Sequence, residues 1–291
     1  MTERLIVTTN GIGRVVNDGA DGSIDLLDTP FRDLGAALAA GASLGDLLAA
    51  PVRQRVALAD ADVVPPVARP GALWAVGLNY AAHVAEIAGA KLSEPFIFPK
   101  APSAIVAHDA DIVIPAVAPD TIDYEGEMAL VIGRGGKDIA AADAWSHVAG
   151  LTLCNDVSER TAQKGRPGVR ANISLAKSFD TFAPLGPAVA VFDSPPDFAA
   201  MSLTTFVNDE VRQSATLAQM IFDVPTLIEY LSRRVTLAPG DVIATGTPDG
   251  VGDVDGRFLR PGDTVRIELT DVGTLTNRVV AEAAHAPLVS D

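Results

Sequence analysis

The chain has 291 residues, among which Asp and Glu outnumber Lys and Arg by 37 to 22, giving a formal net charge of −15. This charge argues against a surface that follows the phosphates of nucleic acid or of an anionic membrane, so we expect neither partner. The single cysteine, Cys154, excludes an intrachain disulfide framework, and no apolar run approaches the roughly 18 residues of a membrane span, so we expect a soluble, cytoplasmic protein without a signal peptide.

Residues 1–70 predict a small N-terminal α/β domain that ends in a proline linker. Short β-like stretches come first, followed by an alanine-rich helical segment at 31–50 and by the proline-containing run at 63–70. The sequence GASLG at 41–45 fits the G-x-S-x-G pattern of serine hydrolases. In serine hydrolases the serine of this pattern is the nucleophile and follows a core strand, whereas Ser43 lies within an alanine-rich segment. We therefore interpret Ser43 with Asp46 as a helix N-cap.

Residues 71–291 predict a larger domain in which strands predominate. Short β-rich runs, separated by Pro, Gly and Asp, are AIVAH, DIVI, EMALVIG, DVIATG and TVRIEL. Helices are predicted at 80–88, with Asn79 as the N-cap, and at 226–234. The predicted fold class is α+β, with β structure predominant.

Three acidic residues are candidate metal ligands. In a strand formed by DYEGEMALVIG, Glu125 and Glu127 project from one face, while Met128, Leu130 and Ile132 anchor the opposite face in the core. Asp156 follows the apolar stretch VAGLTL, and an acid at the end of a buried strand needs a partner. Three carboxylates suit Mg²⁺ or Mn²⁺ and leave about three of six octahedral positions open for water or substrate.

Cations and a histidine accompany this acidic cluster in the sequence. An anionic substrate would need positive charge beside three carboxylates, and Arg160, Lys100 and Lys177 are candidates. His83 and Glu86 stand three apart on a predicted helix and would face each other there. A carboxylate beside an imidazole orients the ring and raises its basicity, as a general base requires.

Eight segments together resemble the fumarylacetoacetate hydrolase family. They occur in the family's order and cover nearly everything from residue 73 to about 280: GLNYAAHVAE, FIFPKAPSA, DYEGEMALVIG, CNDVSER, LAKSFDTFAPLGP, VNDEVRQ, DVIATGTPDGVG and FLRPGDTVRIELTDVGTLTN. The resemblance implies a mixed β-sandwich roll at 71–291, often preceded by a small N-terminal domain and commonly assembled as a homodimer.

The resemblance also implies roles for particular residues. Glu125, Glu127 and Asp156 match the metal ligands, with Mg²⁺ or Mn²⁺ as the cofactor. The catalytic positions are matched by His83 and Glu86, which activate water, and by Lys177, which stabilises developing negative charge. The substrate-binding positions are Arg160, Gln163 and Thr247, to which the charge argument adds Lys100.

The implied reaction is Mg²⁺-dependent hydrolysis of the C–C bond of an acylpyruvate or related β-diketo acid, in the catabolism of small acids. The expected partner is thus a small anionic 2-oxo acid. Decarboxylation of an acid such as oxaloacetate, and keto–enol isomerisation, stay open as alternatives on the same site. A degenerate, non-catalytic relative is a minor alternative, because every ligand position is filled. Glu159 and Thr161 stand where many relatives have Ala and Asp, which leaves the substrate's side chain open.

Overall fold

Strands dominate the computed structural model, which describes residues 2–17, 19, 21–87 and 92–283. The described strands are β1 (Glu3–Thr8), β2 (Gly11–Asn17), β3 (Ser23–Leu27), β4 (Val52–Ala57), β5 (Val63–Val64), β6 (Leu73–Gly77), β7 (Phe96–Lys100), β8 (Ile105–Val106), β9 (Ile112–Ile114), β10 (Ile122–Asp123), β11 (Gly126–Ile132), β12 (Val148–Asn155), β13 (Ser158–Glu159), β14 (Ala183–Val191), β15 (Ser202–Val207), β16 (Glu210–Thr216), β17 (Val242–Ala244), β18 (Thr264–Leu269) and β19 (Gly273–Ala281). The predicted α+β class with predominant β structure is confirmed.

The α-helices are short. They are α1 (Leu34–Ala39), α2 (Leu44–Leu48), α3 (Ala81–Ile87), α4 (Arg160–Lys164), α5 (Ile173–Ala176), α6 (Val224–Ser232) and α7 (Gly252–Asp255). In the part of the chain that the structure describes, no helix is both long and apolar enough to cross a lipid bilayer.

Helix α6 corresponds to the helix predicted at 226–234 and begins two residues earlier. Its N-cap is Asp223, whose side chain accepts a hydrogen bond from the backbone N of Thr226, and a proline lies in its first turn. Both features favour a helix start, because the first backbone N–H groups lack partners within the helix. The interpretation of Ser43 is also confirmed: Ser43 and Asp46 form a reciprocal capping box at the start of α2.

Helix α3 corresponds to the helix predicted at 80–88, whose last residue lies outside the described residues. The predicted cap by Asn79 is wrong. The Asn79 side chain accepts a hydrogen bond from the backbone N of Phe222 at 2.8 Å and donates to the carbonyl oxygens of Phe222 and Thr245 at 3.0 and 2.7 Å. Asn79 therefore ties the start of α3 to the distant segments that contain Phe222 and Thr245. A local capping motif does not reveal such long-range contacts.

Twelve of the described strands form the main sheet, in which β11 and β12 are central. The order along the sheet is β4-β3-β2-β1-β14-β12-β11-β17-β6-β7, with β5 and β8 attached to β1 and β14. The N-terminal strands therefore join the sheet through the antiparallel pairing of β1 with β14. Residues such as Leu5 and Leu34 share one hydrophobic cluster with Met128. The predicted division into two domains near residue 70 stays a prediction.

A second sheet packs against the central strands of the first. Its order is β16-β15-β18-β19-β9, and β15 and β18 contact β11. Gly126 lies at this contact, where a Cβ atom would collide with the side chain of Thr205 and press on that of Ile267. The absence of a side chain at Gly126 thus lets the two sheets approach closely between Glu125 and Glu127, which fixes the backbone that carries both acids.

Candidate active site

Glu125, Glu127 and Asp156 converge on one point at the end of the central strand pair. Each offers a carboxylate oxygen, and the three oxygens lie within 4.8 Å of one another. All three residues are buried, with relative exposures of 5%, 0% and 1%. The pairing of β11 with β12 produces this convergence, because it sets Gly126 opposite Asn155, and the backbone N of Asp156 donates to the carbonyl oxygen of Glu125 at 2.8 Å.

Two lysines neutralise part of this acidic cluster. The Nζ of Lys177 donates to Oε2 of Glu125 at 2.8 Å and to Oδ2 of Asp156 at 2.6 Å. The Nζ of Lys100 donates to Oδ1 of Asp156 at 2.5 Å. Both lysines are buried, so their contacts with the acids are far less screened than those of a surface ion pair.

Arg160 forms a third cationic contact and joins the cluster to a further acid, Asp123. Its Nη1 lies 2.6 Å from Oε1 of Glu125 and donates to Oε1 of Gln163 at 2.8 Å, while its Nε donates to Oδ2 of Asp123 at 2.9 Å. Asp123 also accepts from the backbone N of Gly252 at 2.8 Å. No role was predicted for Asp123, although it continues the period-two spacing of Glu125 and Glu127.

The residues present fit a divalent metal ion. Glu127 accepts a hydrogen bond from the backbone N of Gly246 at 2.7 Å through Oε2, whereas its Oε1 is buried and has no hydrogen-bond partner among the described residues. A buried carboxylate oxygen without a partner is costly, and coordination to a cation removes that cost. Three carboxylates are hard oxygen donors of the kind that Mg²⁺ and Mn²⁺ prefer.

The acids differ in their electrostatic environments. Burial, reinforced by the charges of Asp156 and Glu125, raises the pKa of Glu127 well above its ordinary value. Burial alone would also raise the pKa of Glu125, but the charges of Lys177 and Arg160 outweigh it and hold that pKa below its usual range. Glu127 is thus the acid with the least cationic compensation, so a divalent ion at this point would favour its ionised form most.

His83 and Glu86 form the predicted pair on α3. The Nδ1 of His83 lies 2.8 Å from Oε1 of Glu86, and the backbone N of Gly250 donates to both carboxylate oxygens of Glu86 at 3.2 Å. Because a carboxylate only accepts hydrogen bonds, this contact places the proton of a neutral His83 on Nδ1 and leaves Nε2 as a proton acceptor.

A cavity of about 160 Å³ brings most of the predicted residues together. Its lining includes the predicted residues His83, Glu125, Arg160, Gln163, Lys177 and Thr247. The other predicted residues lie behind this surface: Glu86 supports His83, Lys100 supports Asp156, and Glu127 completes the carboxylate cluster. The buried contact of Lys100 with Asp156 indicates that Lys100 orients the carboxylate of this candidate metal ligand. The predicted contact of Lys100 with substrate stays a prediction.

Thr247 shows how the cavity wall is tied to the central strand. Its hydroxyl donates to the carbonyl oxygen of Gly126 at 2.9 Å and accepts from Nε2 of Gln213 at 2.7 Å. Gln213 in turn accepts from the backbone N of Gly126 at 3.0 Å. The hydroxyl proton of Thr247 is therefore used within the protein, and its predicted contact with substrate stays a prediction. Gln213 was not predicted, because a glutamine on a hairpin strand gives no distinguishing signal.

A larger cleft lies elsewhere, between the N-terminal strands and β18–β19, with a volume of about 780 Å³. Its buried acid, Asp25, is already paired with Arg14 and Arg55. The smaller cavity is lined by Glu125 of the carboxylate cluster and by His83 of the histidine pair, and these groups make it the candidate active site.

The chain also matches a family model and several known proteins. The family model described as "Fumarylacetoacetate (FAA) hydrolase C-terminal" matches residues 72–280. The chain is 45% identical over 217 residues to the oxaloacetate tautomerase FAHD2A, mitochondrial, of Bos taurus, covering 74% of this chain and 68% of that protein.

Solved structures also match the chain. A 5-carboxymethyl-2-hydroxymuconate delta-isomerase from Mycobacterium smegmatis is 35% identical, with a TM-score of 0.76, and the match covers 97% of this chain and 100% of that one. A maleylpyruvate hydrolase from Sphingobium sp. SYK-6, in complex with manganese(II) ion and pyruvate, is 29% identical, with a TM-score of 0.75, and the match covers 96% of this chain and 100% of that one.

Proposed function

We propose that this chain, which belongs to the fumarylacetoacetate hydrolase family, is a divalent-metal-dependent keto–enol tautomerase of a small anionic 2-oxo acid such as oxaloacetate. The observation that carries the proposal is the 45% identity to the bovine oxaloacetate tautomerase, taken with the convergence of Glu125, Glu127 and Asp156. The size of the cavity supports a small substrate, since pockets for drug-sized ligands run from about 300 to 1,000 Å³. Assembly as a homodimer remains part of the proposal.

Glu125, Glu127 and Asp156 would hold the metal ion, Mg²⁺ or Mn²⁺. When bound, such an ion supplies Lewis-acid polarisation of the substrate's oxygen atoms. The lysines that contact Asp156 prepare the site in a different way, because Lys100 and Lys177 fix the orientation of its carboxylate.

His83 is the proposed proton carrier of the tautomerisation. Interconversion of enol and keto forms moves one proton between an oxygen and the adjacent carbon, so one base that also acts as an acid is sufficient. The Nε2 of His83 is available for this purpose, because Nδ1 is held by Glu86. Glu86 is held in turn by the backbone N of Gly250, so the ring orientation is fixed from behind.

Lys177 and Arg160 supply positive charge where the substrate becomes more anionic. Burial would lower the pKa of Lys177, but the charges of Asp156 and Glu125 outweigh it and raise that pKa, so the ammonium stays protonated. Both cations line the cavity and are held by buried acids, so they need no reorganisation during the reaction.

The test of this proposal follows two reactions of one substrate, tautomerisation and decarboxylation. The enol form of oxaloacetate is dissolved with protein and Mg²⁺ or Mn²⁺; loss of the enol's ultraviolet absorbance reports tautomerisation, and a coupled assay reports pyruvate. We expect faster enol loss with protein and metal, no matching rise in pyruvate, and no acceleration by the Asp156→Asn variant. Faster pyruvate formation without faster enol loss would replace the proposal with decarboxylation.

Hydrolysis of an acylpyruvate is the second candidate, favoured by one specific feature. The pairing of His83 with Glu86 at 2.8 Å is suited to removing a proton from water as well as from an enol. Maleylpyruvate hydrolase, one of the matched structures, carries out a reaction of this hydrolytic kind by name. Incubation with acetylpyruvate separates the two candidates, because hydrolysis would release acetate and pyruvate, whereas a tautomerase leaves the carbon chain intact.

A further inference from the structure

We propose that Lys164 binds a second, distal carboxylate of the substrate and that Asp253 occupies the position of that carboxylate when no substrate is present. The site would then select dicarboxylic 2-oxo acids over monocarboxylic ones. This inference rests on the proposed function, because it names the substrate class of the same cavity.

Lys164 differs from the other cations that line the cavity. The ammonium of Lys177 and the guanidinium of Arg160 are buried and held by acids at the base of the site. The Nζ of Lys164 contacts Oδ1 of Asp253 at 2.6 Å, and its side chain is 58% exposed. Lys164 is therefore a cation at the outer part of the cavity, where the far end of a substrate would lie.

The position of Lys164 on α4 matches the length of a short dicarboxylic acid. Arg160 and Lys164 are the first and last residues of this helix and stand four apart, so they share one face. Four residues of helix advance about 6 Å, which is similar to the span between the ends of an extended four-carbon dicarboxylic acid. A substrate whose first carboxylate lies near Arg160 thus brings its second one near Lys164.

The contact between Lys164 and Asp253 is suited to exchange. Because the Lys164 side chain is 58% exposed and that of Asp253 is 10% exposed, water screens this pair more than the fully buried pairs of Lys177, so a competing carboxylate replaces it at lower cost. Asp253 keeps other partners after the exchange: its backbone N donates to Oδ2 of Asp123 at 2.9 Å, and its carboxylate is close enough to Arg160 for their charges to interact. An ammonium has three donors, so Lys164 also has the capacity to contact both carboxylates during the exchange.

A dianionic substrate also needs such a cation. The protein carries a net charge of −15, and the cations nearest the three carboxylates, Arg160 and Lys177, already pair with Glu125. The remaining wall is apolar, with Ile87, Phe96 and Ile173 among its residues. Without Lys164, a second carboxylate would meet this apolar wall and lose its hydration without compensation.

The experiment compares oxaloacetate with its 4-monomethyl ester, in which a methyl group replaces the distal charge. The measured quantity is the ratio of kcat/KM for the acid to that for the ester. We expect Lys164→Met to lower this ratio about tenfold, as loss of one hydrogen bond to a charged group predicts, mainly through a higher KM for the acid. Asp253→Asn should change the ratio in the opposite direction, because it removes the internal competitor. Lys137→Met, an exposed lysine outside the cavity, is the matched control and should leave the ratio unchanged.

Two results would overturn the inference. One is a ratio in Lys164→Met that differs no more from the wild type than that of Lys137→Met. The other is a lower ratio in Asp253→Asn, which would show that Asp253 only supports the cavity wall. If the wild type converts neither compound, the proposed function has failed, and calorimetric binding of the same acid and ester to the same variants then decides the inference without turnover.

Discussion

The Nζ of Lys177 lies 2.6 Å from Oδ2 of Asp156, in a contact where both side chains are 1% exposed. A buried ion pair stabilises only while both partners are present, because the loss of one leaves the other charge without compensation. The contact therefore links the stability of the fold to the arrangement of the candidate metal ligands.

Lys177→Met tests this link. We expect the variant to lower the free energy of unfolding by about 3–5 kcal/mol, the range measured when one partner of a buried pair is removed. Urea unfolding in the presence of a chelator measures it, with Lys137→Met as the exposed control. A decrease in unfolding free energy no larger than that of the control would show that Lys177 does not balance the charges of Glu125 and Asp156.

Asp123→Ala addresses the second buried pair. This carboxylate is fully buried and accepts hydrogen bonds from Arg160 and from the backbone N of Gly252 and Asp253. Its removal should cost about 3–5 kcal/mol of unfolding free energy, because Arg160 stays buried with one acid fewer. Glu210→Ala, which removes the exposed partner of Arg257, should leave the unfolding midpoint unchanged. Equal midpoints for the two variants would contradict this account.

Gly126→Ala tests the close approach of the two sheets. The added methyl group would collide with Thr205 of β15, so we expect a loss of about 1–3 kcal/mol, as for other overpacked cores, together with weaker metal binding. The control is Gly45→Ala on the exposed face of α2, which should be neutral or raise stability by about 0.5–1 kcal/mol. A Gly126→Ala protein as stable as the wild type would show that the two sheets can move apart at this contact without a measurable cost.

The histidine pair is tested separately from the metal ligands. His83→Asn should reduce kcat about 10²- to 10⁴-fold, the usual contribution of a general base, while leaving Mn²⁺ affinity unchanged. Glu86→Gln should reduce kcat less, since it orients the ring without exchanging the proton itself. The control is Glu94→Gln, because Glu94 is exposed and accepts a hydrogen bond from the Tyr230 hydroxyl. Full turnover by His83→Asn would assign the proton transfer to another group.

Local patterns were sufficient to predict much of the site. The signals were local: Glu125 immediately precedes β11 and Glu127 lies in it, Asp156 follows β12, and His83 and Glu86 stand three apart on α3. Strand β18 was predicted at its observed bounds for the same reason, because its burial alternates along TVRIEL.

Contacts between distant segments could not be predicted in this way. Asn79 reaches Thr245, 166 residues away, and Lys100 reaches Asp156, 56 residues away. The pairing of β1 with β14 likewise depends on the order of strands in the sheet, which local spacing does not contain. The same limit applies to Gln213, whose importance arises only from where Gly126 and Thr247 lie in the fold.

The central claim is that the three carboxylates hold one divalent ion. Glu127 tests it most directly, because one of its oxygens is buried and has no hydrogen-bond partner within the described part of the chain. Glu127→Gln keeps the side chain's shape and removes its charge. The measurement is a titration of wild type and variant with Mn²⁺, followed by electron paramagnetic resonance of the free ion. We predict one bound Mn²⁺ per wild-type chain and an affinity at least about 100-fold weaker in the variant. Equal affinities, or no binding by the wild type, would contradict the account.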